Sequence, residues 1–549
     1  MRRPTKKMSR SLLVVGTSAA LLSFGGANAF ACGTGVCAPN TNTSTQTATN
    51  SQILPIGLGV GVSAPLNLNI PLLGGGSAPV TQNSTSTVNS TSKNNEVNQV
   101  VNQDSGTPGQ HGNTNTANQT SKNNQIAPIA ITGSISAPIN LNLPLGLLSP
   151  GSNGGTVNQE NSSTVTGRSV NNESDQRMDQ RVTGGSNSSN KGEQINVNNQ
   201  LLPIALGLGI SAPININAPI AVLSPDSNNG NVHQKNDSDV HTESLNNETE
   251  QTMRQRASSG ASNDASQKAV STQLLPIAAA LGVAVPINVN APIAVLSPGS
   301  NNGDVFQNGD SDVNVQSLNN DVDQNVNQEG SNAGSSNKAS QSSKNSQILP
   351  IALGIGASAP VNARAPIAIL APDSNNGNVP LQKAEGDVNV TSTNNRVNQD
   401  VQQRATNGAQ NDATQAAISQ QILPVAAALG AAAPVNAIAP VALLDWGVNN
   451  GDRTQHTETT VNAESINNDV NQEATQAGGG TSTATLQSMS ANAADSDVQS
   501  SPEQKPAATG VAAPINNPQL PVSVLGQTLQ TLTSFLTNPL GLLKGFLGL

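Results

Sequence analysis

The chain has 549 residues, a net charge of −10, 35% hydrophobic residues, 11% charged residues and only 1% aromatic residues. So few rings exclude a large core built on aromatic packing. An acidic chain almost without stacking side chains also excludes a nucleic-acid binder.

Residues 1–29 read as a secretory leader. Arg2, Arg3, Lys6, Lys7 and Arg10 form a basic start, Leu12 to Phe24 an apolar stretch, and Ala27-Asn28-Ala29 a small-x-small cleavage site. The apolar stretch is short for a membrane span of about 20 residues. The chain is therefore expected to be secreted, with a mature start at Phe30. A polar linker, 30–51, follows and holds Cys32 and Cys37. In an oxidising compartment these two are candidates for a small local disulfide, with Gly33 and Gly35 allowing the turn.

Six tandem copies come next. A Gln-(Ile/Leu)-x-Pro opening recurs at Gln52, Gln125, Gln200, Gln273, Gln347 and Gln421, in steps of 73, 75, 73, 74 and 74 residues. The units are 52–124, 125–199, 200–272, 273–346, 347–420 and 421–500; a partial repeat and an apolar tail fill 501–549.

Each unit opens with an apolar half, clearest at 273–297. Its skeleton sets a proline two residues before an asparagine: Pro65/Asn67, Pro138/Asn140, Pro213/Asn215, Pro286/Asn288, Pro360/Asn362 and Pro434/Asn436. A worn seventh copy reads Ala513-Pro514-Ile515-Asn516. Apolar residues alternate between the prolines, as in Ile287, Val289 and Ala291, which is strand spacing. Prolines this frequent exclude long helices and predict edge strands or short strand pieces. The segments from Pro213 to Asn215, Pro286 to Asn288, Pro360 to Asn362 and Pro434 to Asn436 are the candidate assembly segments.

The polar half opens on a turn signal at Asn229-Gly230, Asn302-Gly303, Asn376-Gly377 and Asn450-Gly451, each preceded by a further Asn. An alternating run such as Asp312 to Ser317 follows. A second turn, Ser-x-Asn-Asn, starts at Ser92, Ser169, Ser244, Ser317, Ser392 and Ser465. Another alternating piece, as at Asp321 to Gln324, completes a strand–turn–strand pattern. A tract rich in Ser, Asn, Ala and Gly then leads to the next copy and is expected to be a flexible linker. The polar half competes between a low-complexity spacer and β structure, and its alternation in register favours β. Segments rich in Gln and Asn that alternate are prone to cross-β stacking with side-chain ladders.

Several site motifs fail on context. Gly207 to Ala212 fits G-x-G-x-x-A, as do Gly59 to Ala64 and Gly354 to Ala359, but a proline follows each directly, where a dinucleotide loop needs a helix. His111, His233, His241 and His456 occupy no common repeat position. His233 and His241 bracket Asp237 and Asp239, which read as a solvated polar face rather than an ion site. The sequence carries no serine nucleophile elbow, H-E-x-x-H or P-loop. The expectation is therefore no enzyme, no cofactor and no metal. The apolar stretch 274–296 is long enough to span a membrane. Its prolines and asparagines, Arg364 in copy five and the lack of basic-inside asymmetry argue against six spans. From Leu520 to Leu549 the chain is apolar and is expected to form one or two short amphipathic helices.

The stretch Pro-Ile-Asn-Val-Asn-Ala-Pro-Ile-Ala-Val-Leu-Ser-Pro at 286–298 resembles the Pro-Val-Asn-Val…Gly-Leu-Leu-Asn-Pro segment of chaplins and, more distantly, rodlins. The likeness covers about 25 residues of each copy. The chaplin cysteine pair is absent, so a disulfide-closed hairpin does not carry over. The Ser-x-Asn-Asn-x-Val-x-Gln pattern is loosely similar to curlin-type amyloid repeats. Chaplins and rodlins are secreted surface proteins of filamentous actinomycetes that form amyloid-like fibrils and make aerial surfaces water-repellent.

Together these readings predict a mainly β repeat protein of short strands and turns, with disordered polar linkers. The expected function is a secreted, self-assembling structural protein of a bacterial cell surface or wall. The alternative is a wall-associated adhesin or binding array with spacer repeats. The implied partners are further copies of the chain, other surface-layer proteins or cell wall, and a membrane or air–water interface.

Overall fold

A computed structural model describes residues 41–492, together with 508–512 and 515–517. Within the first range it omits 72–78, 107–110, 444–451 and gaps of one to three residues elsewhere. Cys32, Cys37 and the tail from Leu520 lie outside the described residues, as do Asn229, Asn302, Asn376, Asn450 and Gly451.

The copies wind into a parallel β-solenoid, and no helix occurs among the described residues. One coil shows the plan. Its strands are Ser189–Leu201, Ile204–Ser211, Ile214–Asn217, Ile220–Val222, Val232–Leu245 and Glu248–Ser258. We number them first to sixth. Equivalent strands of successive coils pair in parallel, giving sheets of seven, seven, seven, five, six and six strands. The register follows the sequence repeat: Gln52 pairs with Gln125 and Gln200 with Gln273.

Two layers face each other inside each coil. The first four strands run out along one layer, and the fifth and sixth return along the other. Gln194 Nε2 of a first strand donates to Gln176 O of the preceding sixth strand at 2.8 Å. Ser211 Oγ of the second strand lies 2.7 Å from Ser163 Oγ on a fifth.

Two expectations are corrected here. The tracts expected to be flexible linkers form the first sheet: Ser262–Leu274 and Ser336–Ile348 are 13-residue strands. Likewise 41–51, at the end of the expected polar linker, belongs to the strand Thr41–Ile53. Strands flanking the Ser-x-Asn-Asn turns do not pair with each other, because each joins its counterparts in neighbouring coils. The Asn pair is a kink whose amides stack along the axis. Asn171 Nδ2 reaches Asn246 Oδ1 and Asn172 Nδ2 reaches Asn247 Oδ1, both at 2.7 Å.

Prolines mark the breaks between strand pieces, as their density predicts, but within central strands of a stack rather than at sheet edges. At the first break Leu202, Leu275 and Leu349 take φ of 50 to 52°. The right-handed region is disfavoured before proline. The ladder continues across the corner, with Leu202 N donating to Leu274 O and Ile277 N to Pro203 O, both at 2.8 Å. The segment 274–296, long enough to span a membrane, is broken in this way into the strands Ile277–Ala284, Ile287–Asn290 and Ile293–Val295.

Inside, large residues of one layer meet small ones of the other. Val165, Val240, Val313 and Val388 face Ala280, Ala284, Ala428 and Ala432. Val101, Met178, Met253, Val326 and Val401 pack on Ala117, Ala265, Ala339 and Ala413. In the coil whose sixth-strand neighbours are both Met, the Ala column gives way to Gly192. A Cβ there would lie 2.6 Å from Met178 Sδ and 2.7 Å from Met253 Sδ. The repeated Gly-x-Gly serves the same close approach: a Cβ on Gly209 would sit 2.8 Å from Val240 Cγ1, and one on Gly356 2.5 Å from Val388 Cγ1.

Candidate functional site

Strands two to four have an inverted polarity. Alternation sends Ala205, Gly207, Gly209, Ser211, Asn215 and Asn217 inward, and Ile204, Leu206, Leu208, Ile210, Ile214, Ile216, Ile220 and Val222 outward. In-register stacking repeats this coil after coil, so each outward position becomes an aliphatic ridge along the axis. From Ile56 to Leu443, none of the described outward positions of these strands carries a charge or a hydrogen-bonding side chain. The result is an aliphatic wall. Lateral packing half-buries most of its middle and buries Val283 and Val285, which close on the partly buried Ile210, Leu281, Ile287 and Ala357. The first coil is open: Val60 is 62% and Val62 67% exposed.

The candidate assembly segments therefore split in two. Pro213, Pro286, Pro360 and Pro434 point inward and are buried, as are Asn215, Asn288, Asn362 and Asn436. The wall consists of the aliphatic residues between them. The asparagines form one continuous ladder with Asn67 and Asn140, at 2.8, 3.1, 3.0, 2.8 and 2.9 Å per step. Asn215 also donates to Lys235 O at 2.8 Å and to Asn236 Oδ1 at 2.9 Å, which ties the wall to the fifth strand. Gln234 Nε2 reciprocates by reaching Val289 O at 2.9 Å. A net gain near 1 kcal/mol per bond is modest, but an orphaned buried amide costs about 1–3 kcal/mol. Such ladders therefore enforce register strongly.

Two Gln columns have the same design: the first was not singled out in the sequence, and the second is the Gln that closes the Ser-x-Asn-Asn-x-Val-x-Gln pattern. Gln119, Gln194, Gln267, Gln341 and Gln415 are linked by steps of 2.8 to 3.0 Å. Gln176, Gln251, Gln324 and Gln399 are joined at 2.7, 2.7 and 2.8 Å. Their signal was available as one Gln at a constant offset in every copy.

The turn glycines Gly230, Gly303 and Gly377 sit between the fourth and fifth strands. There the first Asn of the pair takes the left-handed conformation, with φ of 59° at Asn228 and 66° at Asn301. Gly230 is needed for close approach, since a Cβ would fall 1.9 Å from Gly155 O.

The opposite layer is charged outside. Arg168 holds Glu243 at 2.8 Å and Glu173 at 3.2 Å and also pairs with Glu248, while Lys93 holds Glu173 at 2.7 Å. Burial pushes the Glu248 carboxyl up to about 7; Arg168 pulls it back in part, and Glu173 adds to the rise. Register stacks like charges, as in Asp239 on Asp312 on Asp387. Burial, reinforced by Asp310 and Asp239, raises Asp312 to about 6. His233 stacks on Phe306 at 4.6 Å between centroids. His233, His241, Asp237 and Asp239 all lie outward on this layer. Glu385, His456 and Glu458 bring ligand atoms within 4.8 Å of one another, with two of the three exposed and Lys383 already paired to Glu385.

No protein-family model, curated protein or solved structure matches the chain.

Proposed function

We propose that this chain is a secreted, non-enzymatic structural protein that coats a bacterial surface and turns the aliphatic wall toward an apolar phase. The observation that carries this reading is the wall itself: one side of the solenoid is aliphatic, and the opposite layer is charged. Soluble proteins rarely leave apolar patches beyond a few hundred Å² without a use for them. The chaplin-like pattern at 286–298 and the leader at 1–29 point to the same outer boundary.

The geometry favours a scaffold over an array of separate binding modules. Every amide ladder runs through successive copies, and each copy's strands pair with the next, so no single copy owns its core.

The test is adsorption of the mature chain at an air–water interface. The expected result is a stable film that raises surface pressure and makes a coated hydrophilic support water-repellent. A chain that stays in the subphase, with no change in surface pressure, would overturn the reading.

A further inference from the structure

We propose that in solution the aliphatic wall is covered by a second copy of the chain, wall against wall. This rests on the same wall as the coat reading but concerns its state before any interface is met.

Area is the first argument. A coil contributes 204–222 to the wall, and six coils stack. At about 3.3 Å per residue and about 4.8 Å per coil, the wall measures on the order of 1,500 Å². That is well above the roughly 300–600 Å² of the largest apolar patch on a typical monomer. It also exceeds the roughly 800 Å² that each partner buries in a standard stable interface.

Shape is the second. In-register stacking makes the ridges straight and parallel. The column Ile204, Ile277, Ile351 is separated by one inward residue from the column Leu206, Ala279, Leu353. Ridges about 7 Å apart leave grooves that a second set of ridges fits, with the sheets about 10 Å apart. A two-fold axis lying in the plane of contact makes the pairing isologous, so that the same patch meets itself.

Charge is the third. No charged group faces outward among the described wall positions, so two walls approach without repulsion or desolvation of ions. The charged layer opposes self-contact, because acids stack there in columns such as Asp239, Asp312 and Asp387. The partner that fits the wall is apolar, flat and ridged at the same period, and a second copy meets all three conditions.

The experiment uses the full mature chain carrying Cys32→Ser and Cys37→Ser, with a single cysteine introduced as Leu208→Cys on the wall or Arg254→Cys on the charged layer. Sedimentation gives the mass, and mild oxidation traps contacts. The expected result is twice the chain mass and a disulfide-linked dimer through Leu208→Cys but not Arg254→Cys. Leu208→Lys should raise the dissociation constant at least about tenfold, which corresponds to about 1.4 kcal/mol. Circular dichroism of that variant establishes that it remains folded. A monomer overturns the proposal. If Leu208→Cys is then unreactive to maleimide, the chain's own residues cover the wall; if it reacts and the monomer partitions onto neutral lipid vesicles, lipid is the better occupant. A dimer trapped through Arg254→Cys also overturns it. The two readings fail separately: a monomer that spreads at the air–water interface removes only the dimer, and a dimer that never spreads removes only the coat.

Discussion

The two layers of the solenoid handle polarity in opposite ways. The returning layer keeps its charges outside, at Lys235, Asp239 and Arg254, and sets Val240, Met253 and Val313 inside beside the amides of Gln234 and Gln251. The wall layer reverses it, with Asn215, Asn217 and Ser211 inside and Ile214, Ile216 and Leu208 outside. Both layers nevertheless share the same coils and the same register. The contrast shows that apolar burial, confined in the wall to inward positions such as Ala280 and Ala284, is not what organises its Asn-bearing strands. Paired amides and backbone ladders hold it, and its aliphatic side chains remain available for contact.

Substitutions at neighbouring residues separate the two roles most sharply. Asn215→Leu strands the amides of Asn140 and Asn288 and the carbonyl of Lys235. At about 1–3 kcal/mol per orphaned group, a loss of about 3 kcal/mol or more is expected in urea unfolding. A midpoint within error of the parent would show that the ladder does not hold the wall.

A smaller loss is expected in the returning layer's contact. Gly192→Leu forces a side chain between Met178 and Met253 and should cost about 1–3 kcal/mol by overpacking. Pairing it with Met178→Ala and Met253→Ala should recover part of that loss. No recovery would mean that the large-to-small match across the layers is not the constraint.

The pH response should come from the charged layer alone. Glu248 is raised to about 7, and Asp175 and Asp312 to about 6, chiefly by burial. A carboxyl raised in the fold binds its proton more tightly there than in the unfolded chain. The cost of holding it charged is fully present above its folded pKa and is relieved as pH falls toward the ordinary carboxylate range. The unfolding midpoint should therefore rise between about pH 8 and about pH 5. A midpoint that falls over that window would contradict the stacked-acid account.

The smallest effect on stability belongs to the wall surface. Ile216→Thr keeps a β-branched residue on a half-exposed site and should cost less than about 1 kcal/mol. Combined with Leu206→Thr and Leu208→Thr, it should lower film pressure at an air–water interface while unfolding changes little. Equal losses of stability and film pressure would merge the two roles.

Much of this was legible in the sequence. The Gln spacing from Gln52 to Gln421 is the coil register itself, and the alternation at Asp312 to Ser317 marks a real strand. The tract Ser262–Leu274 was not legible as a strand, because it lacks the aliphatic alternation by which strands are recognised. Its evidence lay in identical amides at identical offsets, Asn190 with Asn263 and Gln194 with Gln267. Such identity gains physical meaning only when copies stack. The Asn-Asn kink misled for the same reason: a local pattern for a turn between paired strands also suits a bend whose partners lie about 75 residues away. The direction of the wall was half legible. Alternation separates Asn215 from Ile216, but only the facing layer shows which of the two is inside.

The central claim is that buried amides line the inner face of the wall while its aliphatic residues face outward, and side-chain amide exchange tests it most directly. With nitrogen-labelled Gln and Asn in the intact chain, the buried side-chain NH₂ groups of the Gln194 and Asn215 columns should survive transfer to deuterated water for hours. Protection of this kind tracks stable burial. Exchange as fast as in the urea-unfolded chain would place those amides in solvent and contradict the account.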